Sequence, residues 1–239
     1  MTARGLYSLR YNAWCKQLRD MHTVFFERRI HESMLELIMI RHGRTKGNIE
    51  NRYIGTTDEP LLASEAERLS VKREKLKEAG MLHPDVLCAS PMRRCRETAA
   101  VLFPESEPVI VPDFRECDFG EFENKNYQEL SGNADYQRWI DSGGRLPFPG
   151  GESMRSFQER VCRAFGRQIR EIILTSGNQR SRDAKAAMVV HGGTIMAVLE
   201  RYGYPRKSYF DWHVGNGDGF LLSVRKTGED LLLSVTGSF

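Results

Sequence analysis

The chain has 239 residues, 28% of them charged and 40% apolar, proportions that argue against both a disordered chain and a membrane-embedded one. Its longest apolar runs, such as Ala99–Phe103 and Ala186–Val190, fall far short of the roughly 20 residues needed to span a bilayer. The formal charge of +3 is local: residues 1–33 carry six basic and three acidic side chains, which out of totals of 35 and 32 leaves 29 of each sign in the rest, so neither a nucleic-acid nor a membrane partner is expected.

Residues 6–33 hold no Gly or Pro, and Tyr7, Tyr11, Trp14, Leu18, Met21 and Phe25 recur at helical spacing between basic residues, the pattern of an amphipathic helix. Three origins are open for this extension: a helix docked on the body, a basic membrane-surface or targeting segment, or translated sequence ahead of the natural start at Met34. The main domain is expected over 34–239. There, apolar runs alternate with helical patterns, which predicts an α/β layered domain. Strands are expected at 35–41, 86–89, 109–111, 186–190, 219–225 and 230–235. Ser64 and Glu67 form the S-x-x-E signature of a capping box for a helix that Gly80 ends. Further helices are expected at 91–103, with Pro91 in the first position, and at 133–141, 153–174 and 193–202. The polar run 176–185 predicts a surface loop.

The cysteines, Cys15, Cys88, Cys95, Cys117 and Cys162, are odd in number and lack a CxxC pair, which fits neither a disulfide framework nor a zinc site. They read as reduced thiols, and with no secretory signal pattern the expected compartment is the cytoplasm.

The first strand ends in Arg41-His42-Gly43, and a later one ends in His191-Gly192-Gly193-Thr194. Ligands of open α/β sheets gather beyond the carboxyl ends of strands, so two strand-end histidines can face one crevice. Imidazole is a competent phosphoryl acceptor, and an imidazolium can hold phosphate oxygens. Metal binding is the rival reading, but neither HxH nor HExxH is present, and no metal or cofactor is expected. A third strand end runs into Ser90-Pro91-Met92-Arg93-Arg94-Cys95-Arg96. Arginine offers a fork of donors suited to phosphate, and a helix start adds free amides; periodicity does not choose among Arg93, Arg94 and Arg96. The segment Arg115-Glu116-Cys117-Asp118-Phe119-Gly120-Glu121-Phe122-Glu123 offers four carboxylates, any of which can supply the proton that a departing alcohol needs.

These stretches, RHGRTKGN (41–48), RYIGTTDEPL (52–61), SPMRRCRETA (90–99), FRECDFGEFE (114–123), PGGES (149–153) and VVHGG (189–193), resemble in order the motifs of the histidine phosphatase superfamily. That group includes cofactor-dependent phosphoglycerate mutases and many small-molecule phosphatases. The resemblance implies a three-layer α/β/α sandwich around a largely parallel sheet. It also implies His42 as nucleophile, Arg41, Arg94 and His191 as phosphoryl-binding groups, and Glu116 as proton donor. Asn48, Gly55, Arg44 and Gly192 would then lie around the substrate, a small phosphate ester. Arg44, where Glu, Gln or Ala is frequent, would favour a second anionic group. The ECDFGEFE and GGES segments are similar to those of α-ribazole phosphatase-like members.

Three functions remain open: a phosphate-monoester hydrolase, a phosphoglycerate mutase, and a non-catalytic phospholigand-binding module. Between acid and second histidine the mutases carry a longer basic insertion, whereas residues 124–150 hold as basic residues only Lys125, Arg138 and Arg145. The retained histidines and arginines favour an enzyme over a binding module. Oligomeric state is not legible.

Overall fold

The computed structural model describes residues 35–176, 184–228 and 230–239, so the expected extension over 1–33 and most of the expected loop at 176–185 lie outside the described residues. Its centre is strand β1 (Leu35–Arg41), buried at Leu35 and from Leu37 through Ile40. Such an apolar run suits a strand covered on both faces. On one side β1 pairs in parallel with β4 (Ala184–Val190), and on the other antiparallel with β6 (Gly219–Thr227). The sheet is completed by β2 (Val86–Ala89), β3 (Val109–Ile110), β5 (Gly203–Tyr204) and β7 (Asp230–Ser238), in the order β3-β2-β4-β1-β6-β7-β5. Every strand except β6 runs in one direction.

Alternate residues of β1 feed two separate cores. Leu37 and Met39 pack with α5 (Met154–Ser176) and α6 (Gly192–Tyr202), while Ile38 and Ile40 pack with α2 (Glu65–Glu78) and α3 (Arg93–Leu102). Helices on both faces make the expected three layers. Burial of each such side chain stabilises the fold by about 1.5–3 kcal/mol. Two small α-helices, α1 (Lys46–Ile49) and α4 (Ala134–Asp141), and three 3-10 turns at Pro112–Phe114, Gly120–Phe122 and Tyr209–Trp212 complete the helices among the described residues.

Several helix ends follow the local chemistry. Gly80, at φ +67°, closes α2 with its N–H on the Lys77 carbonyl at 2.9 Å and that of Met81 on Leu76 at 2.8 Å, the paired bonds of a Schellman ending. Asn133 caps α4 by accepting from the amides of Asp135 (2.8 Å) and Tyr136 (3.0 Å). Two expectations are corrected. Ser64 is itself helical (φ −72°, ψ −12°) and its side chain caps nothing, because the Ncap box needs an extended residue there. Pro91 is not the first residue of α3: Met92 is the extended residue before it, and the first helical amide, Arg93, donates to Asp58 Oδ1 at 2.6 Å. That amide is therefore not free for a ligand. The short β5 and α1 carry no periodicity long enough to be read from sequence; β5 exists because it pairs with β7.

Candidate active site

Register brings the two histidines together. Arg41 on β1 stands opposite Val190 on β4, and the ladder continues one residue further through His42 N–H to the Val190 carbonyl at 2.9 Å. His42 and His191 thus leave the sheet side by side, with ring centroids 5.2 Å apart and planes at 68°. The β2–β4 pairing places Ser90 beside them, its N–H on the Val189 carbonyl at 3.1 Å.

The His42 Nδ1 lies 2.7 Å from the Gly43 carbonyl oxygen. A carbonyl only accepts, so Nδ1 carries the proton and Nε2 keeps its lone pair. Burial, and then the positive charges of Arg94 and Arg41, hold the pKa of His42 well below the ordinary histidine value. The ring is therefore neutral near pH 7. Its loop is tied down from three directions. Gly43 N–H donates to Thr98 Oγ1 (2.9 Å) on α3, Asn216 Nδ2 donates to the His42 carbonyl (3.1 Å), and the Arg44 N–H donates to Glu65 Oε2 (2.9 Å). His191 is anchored by a side chain instead, its Nε2 2.7 Å from Ser90 Oγ. Burial and Arg94 lower its pKa well below the ordinary value too, with smaller effects from His42 and Arg41.

Of the three candidate arginines on α3, Arg93 pairs with Glu97 at 2.6 Å and Arg96 is exposed, while Arg94 is 0% exposed. Arg94 donates to the carbonyls of Thr57 (2.8 Å) and Gly55 (3.0 Å), and Arg41 donates to that of Val214 (2.8 Å). In both residues the buried Nε lacks a hydrogen-bond partner. Buried donors are rarely left so, and two cationic ones beside the histidines are a demand for an anion.

The four carboxylates also separate. Asp118 accepts from Gly120 N–H (2.9 Å), Glu123 from the amides of Gly55 (2.8 Å) and Thr57 (2.9 Å), and Glu121 is exposed. Glu116 lines the cleft that includes Arg41, Gly192 and Gly193. Its oxygens accept from Cys117 N–H (3.0 Å) and Gly193 N–H (3.3 Å). Burial raises its pKa despite those bonds and the nearby Arg94 and Arg41.

The remaining expected site residues are placed differently from one another. Gly192 begins α6 against Arg41, where an added Cβ would stand 3.3 Å from Nε. Gly55 is a structural contact: a Cβ there would meet the Cys117 carbonyl oxygen at 1.9 Å. Asn48 spends its Oδ1 on the amide of Thr45 (3.1 Å) and on Asn216 Nδ2 (3.1 Å). Arg44 turns to Glu65, with Nε 2.7 Å from Oε1, and is not among the cleft-lining side chains.

Sequence reasoning passed over four residues that hold the site. Ser90 orients His191; Gly193 lets Glu116 approach, since a Cβ would lie 2.4 Å from Oε1; Asn216 and Glu65 brace the His42 loop. The glycine doublet at 192–193 was a visible signal for Gly193. Asn216 and Glu65 lie far along the chain from the loop they hold and had none. Among the described residues no three His, Cys, Asp or Glu side chains converge as a metal-binding group.

Paired strand-end histidines beside one buried and one half-buried arginine, Arg94 and Arg41, are an arrangement that suits a phosphate-sized anion. The model of the histidine phosphatase superfamily (branch 1) matches residues 37–235. The chain belongs to that superfamily and is an enzyme of its phosphatase and mutase kind. "Probable phosphoglycerate mutase GpmB" of Escherichia coli O1:K1 is 30% identical over 156 residues, 60% of this chain and 70% of that protein. Among solved structures, the α-ribazole phosphatase of Shigella flexneri is similar in fold, with a TM-score of 0.63 at 21% identity over 84% of this chain and 95% of that one. A phosphoglycerate mutase from Thermus thermophilus gives a TM-score of 0.55 at 28% identity, over 83% and 96%. No helix among the described residues is long and apolar enough to cross a membrane.

Proposed function

We propose that the protein is a phosphate-monoester hydrolase that needs no metal and carries the phosphoryl group on His42. The observation that supports it best is the pair of buried, unpartnered Nε donors of Arg41 and Arg94 beside a histidine whose Nε2 keeps its lone pair. In the first step Nε2 of His42 forms the bond to phosphorus as the ester oxygen leaves, and Glu116, whose raised pKa favours its protonated form, gives that oxygen its proton. Arg41, Arg94 and His191 hold the phosphoryl oxygens as charge spreads onto them. The incoming dianion favours the charged form of His191, which then donates to it. In the second step Glu116, now a carboxylate, takes a proton from water as the water oxygen attacks phosphohistidine. Free phosphate and neutral His42 result.

The substrate is a small phosphorylated metabolite, with α-ribazole 5′-phosphate and sugar phosphates as the candidates. The four described cysteines are free and buried, which suits the cytoplasm. The mutase reading is kept by the GpmB likeness; a mutase must shield its phosphohistidine from water.

The deciding experiment is phosphate release from p-nitrophenyl phosphate and a panel of natural monoesters with EDTA present, wild type against His42→Ala. Release that survives EDTA and vanishes in the variant supports the hydrolase. No release from any ester, with phosphoglycerate isomerised instead, overturns it in favour of the mutase.

A further inference from the structure

The cleft over Glu116 and Gly193 has a volume of about 800 Å³, toward the upper end for small-molecule sites and far more than a phosphate needs. Arg41, Glu116, Gly192 and Gly193 form its catalytic floor, and beyond them the lining is largely apolar. Tyr53, Phe119, Trp139 and Phe148 all face it and are already packed on one another: Phe119–Phe148 and Trp139–Phe148 centroids are both 5.0 Å apart, and Tyr53–Phe119 are 5.2 Å apart. This wall exists before any ligand arrives, so little ordering is needed to use it.

Two further apolar side chains of the cleft are open to solvent, Ile140 at 46% and Phe210 at 75% exposure. Ile140 follows Trp139 on α4. Phe210 follows Tyr209, whose hydroxyl donates to the Gly193 carbonyl at 3.4 Å, and the turn is held by a capping box between Ser208 and Asp211. The mouth is thereby tied to the first turn of α6, where the Gly193 N–H donates to Glu116. Exposed apolar groups rimming a cleft mark a ligand surface.

The polar lining beyond Arg41 and Glu116 is sparse. Arg155 is bonded to Glu159 at 2.9 Å, and Gln158 donates to Glu200 at 3.1 Å, which leaves the exposed Arg145 and the exposed His213, whose Nε2 lies 3.5 Å from Arg41 Nη1. A carboxylate next to the ester would lose water against aromatic rings.

Resting on the hydrolase reading above, we propose that the site selects phosphate monoesters whose alcohol carries a flat apolar group of about bicyclic size. That group seats on the Trp139–Phe148 wall and covers Ile140 and Phe210. Glu116 stands where such a leaving group meets the catalytic floor.

The test compares 2-(2-naphthyl)ethyl phosphate with ethyl phosphate on the full chain, two alcohols of similar acidity, so leaving tendency does not bias the result. The expected kcat/KM ratio is about 30 or more, as buried aromatic area implies. In Ile140→Ser/Phe210→Ser it falls to about 5; a ratio is insensitive to the amount of folded enzyme. A wild-type ratio within about threefold of one, or a ratio that the double variant leaves unchanged, overturns the inference and leaves the hydrolase standing. If no ester is turned over, the hydrolase reading fails. The corresponding phosphonates, titrated calorimetrically, then decide the apolar seat: about 30-fold tighter binding of the naphthyl compound supports it, and equal binding overturns it.

Discussion

The two histidine loops begin alike, each an apolar parallel strand running into His-Gly, at adjacent positions of one sheet. They differ in what holds the ring. His42 gives its Nδ1 proton to the carbonyl of its own neighbour, Gly43, a bond that no rotation of another side chain can undo. His191 leans through Nε2 on the hydroxyl of Ser90, which can donate or accept and so tolerates either charge state of the ring. The first arrangement suits a nucleophile that must present one lone pair. The second suits a group that changes protonation as an anion arrives.

The harshest way to break this division of labour is to remove each ring in turn. His42→Ala is expected to lower kcat by at least about 10⁴-fold and to abolish acid-labile phosphate on the protein. His191→Ala should lose about 10²–10³-fold while phosphohistidine still forms slowly, as trapping with radiolabelled ester would show. Equal loss of phosphoenzyme in both would erase the distinction.

Glu116→Gln sharpens it from the side of the leaving group. With an alkyl ester kcat should drop about 10²–10³-fold, and with p-nitrophenyl phosphate, whose alcohol leaves without help, by far less. The pH profile carries the same signature. In the proposed mechanism His42 is neutral, and its lowered pKa should keep kcat/KM high below pH 6.5, with loss only as pH falls through that lowered value. Glu116 is protonated for the proposed first step, and its raised pKa should carry that step above the ordinary carboxylate range. The alkaline limb should disappear in the Gln variant.

A gentler cut is Ser90→Ala, which leaves the His42 bond intact and takes the hydroxyl partner from His191, leaving the weaker contact with Cys95 Sγ at 3.6 Å. Turnover should fall about tenfold, the worth of one buried hydrogen bond, with no change in the acid limb set by His42. Glu65→Gln acts on the loop and not on the chemistry. Burial raises the pKa of Glu65, but bonds from Arg68 and Arg44 outweigh it and hold it at about 2. A depressed carboxylate stabilises the fold above its unfolded pKa, near 4.5, and that contribution is lost as pH falls toward 2. Chemical denaturation should show the variant less stable by about 3 kcal/mol at pH 7 and less sensitive to acid between pH 4.5 and 2.

Much of the molecule was written in one dimension. The apolar runs of β1, β2 and β4 marked the sheet, because a strand buried on both faces needs little beyond its own composition to be seen. The expectation of strand-end histidines rested on the same local pattern. The capping box at Ser64 failed because that residue is itself helical, and the helix start at Pro91 because Asp58, from another part of the chain, holds the Arg93 amide.

The sequence by itself determined the layered α/β class, the strand ends at which the two histidines stand and the residue types that the proposed phosphoryl transfer would use, all of them local properties of composition and spacing. Only the tertiary structure decided which of three arginines is buried, which of four carboxylates reaches the cleft, and that Arg44 turns to Glu65 and away from the cleft. Those outcomes depend on register between distant strands and on whether a charge finds a partner before it is cut off from water. Neither quantity has a period along the chain.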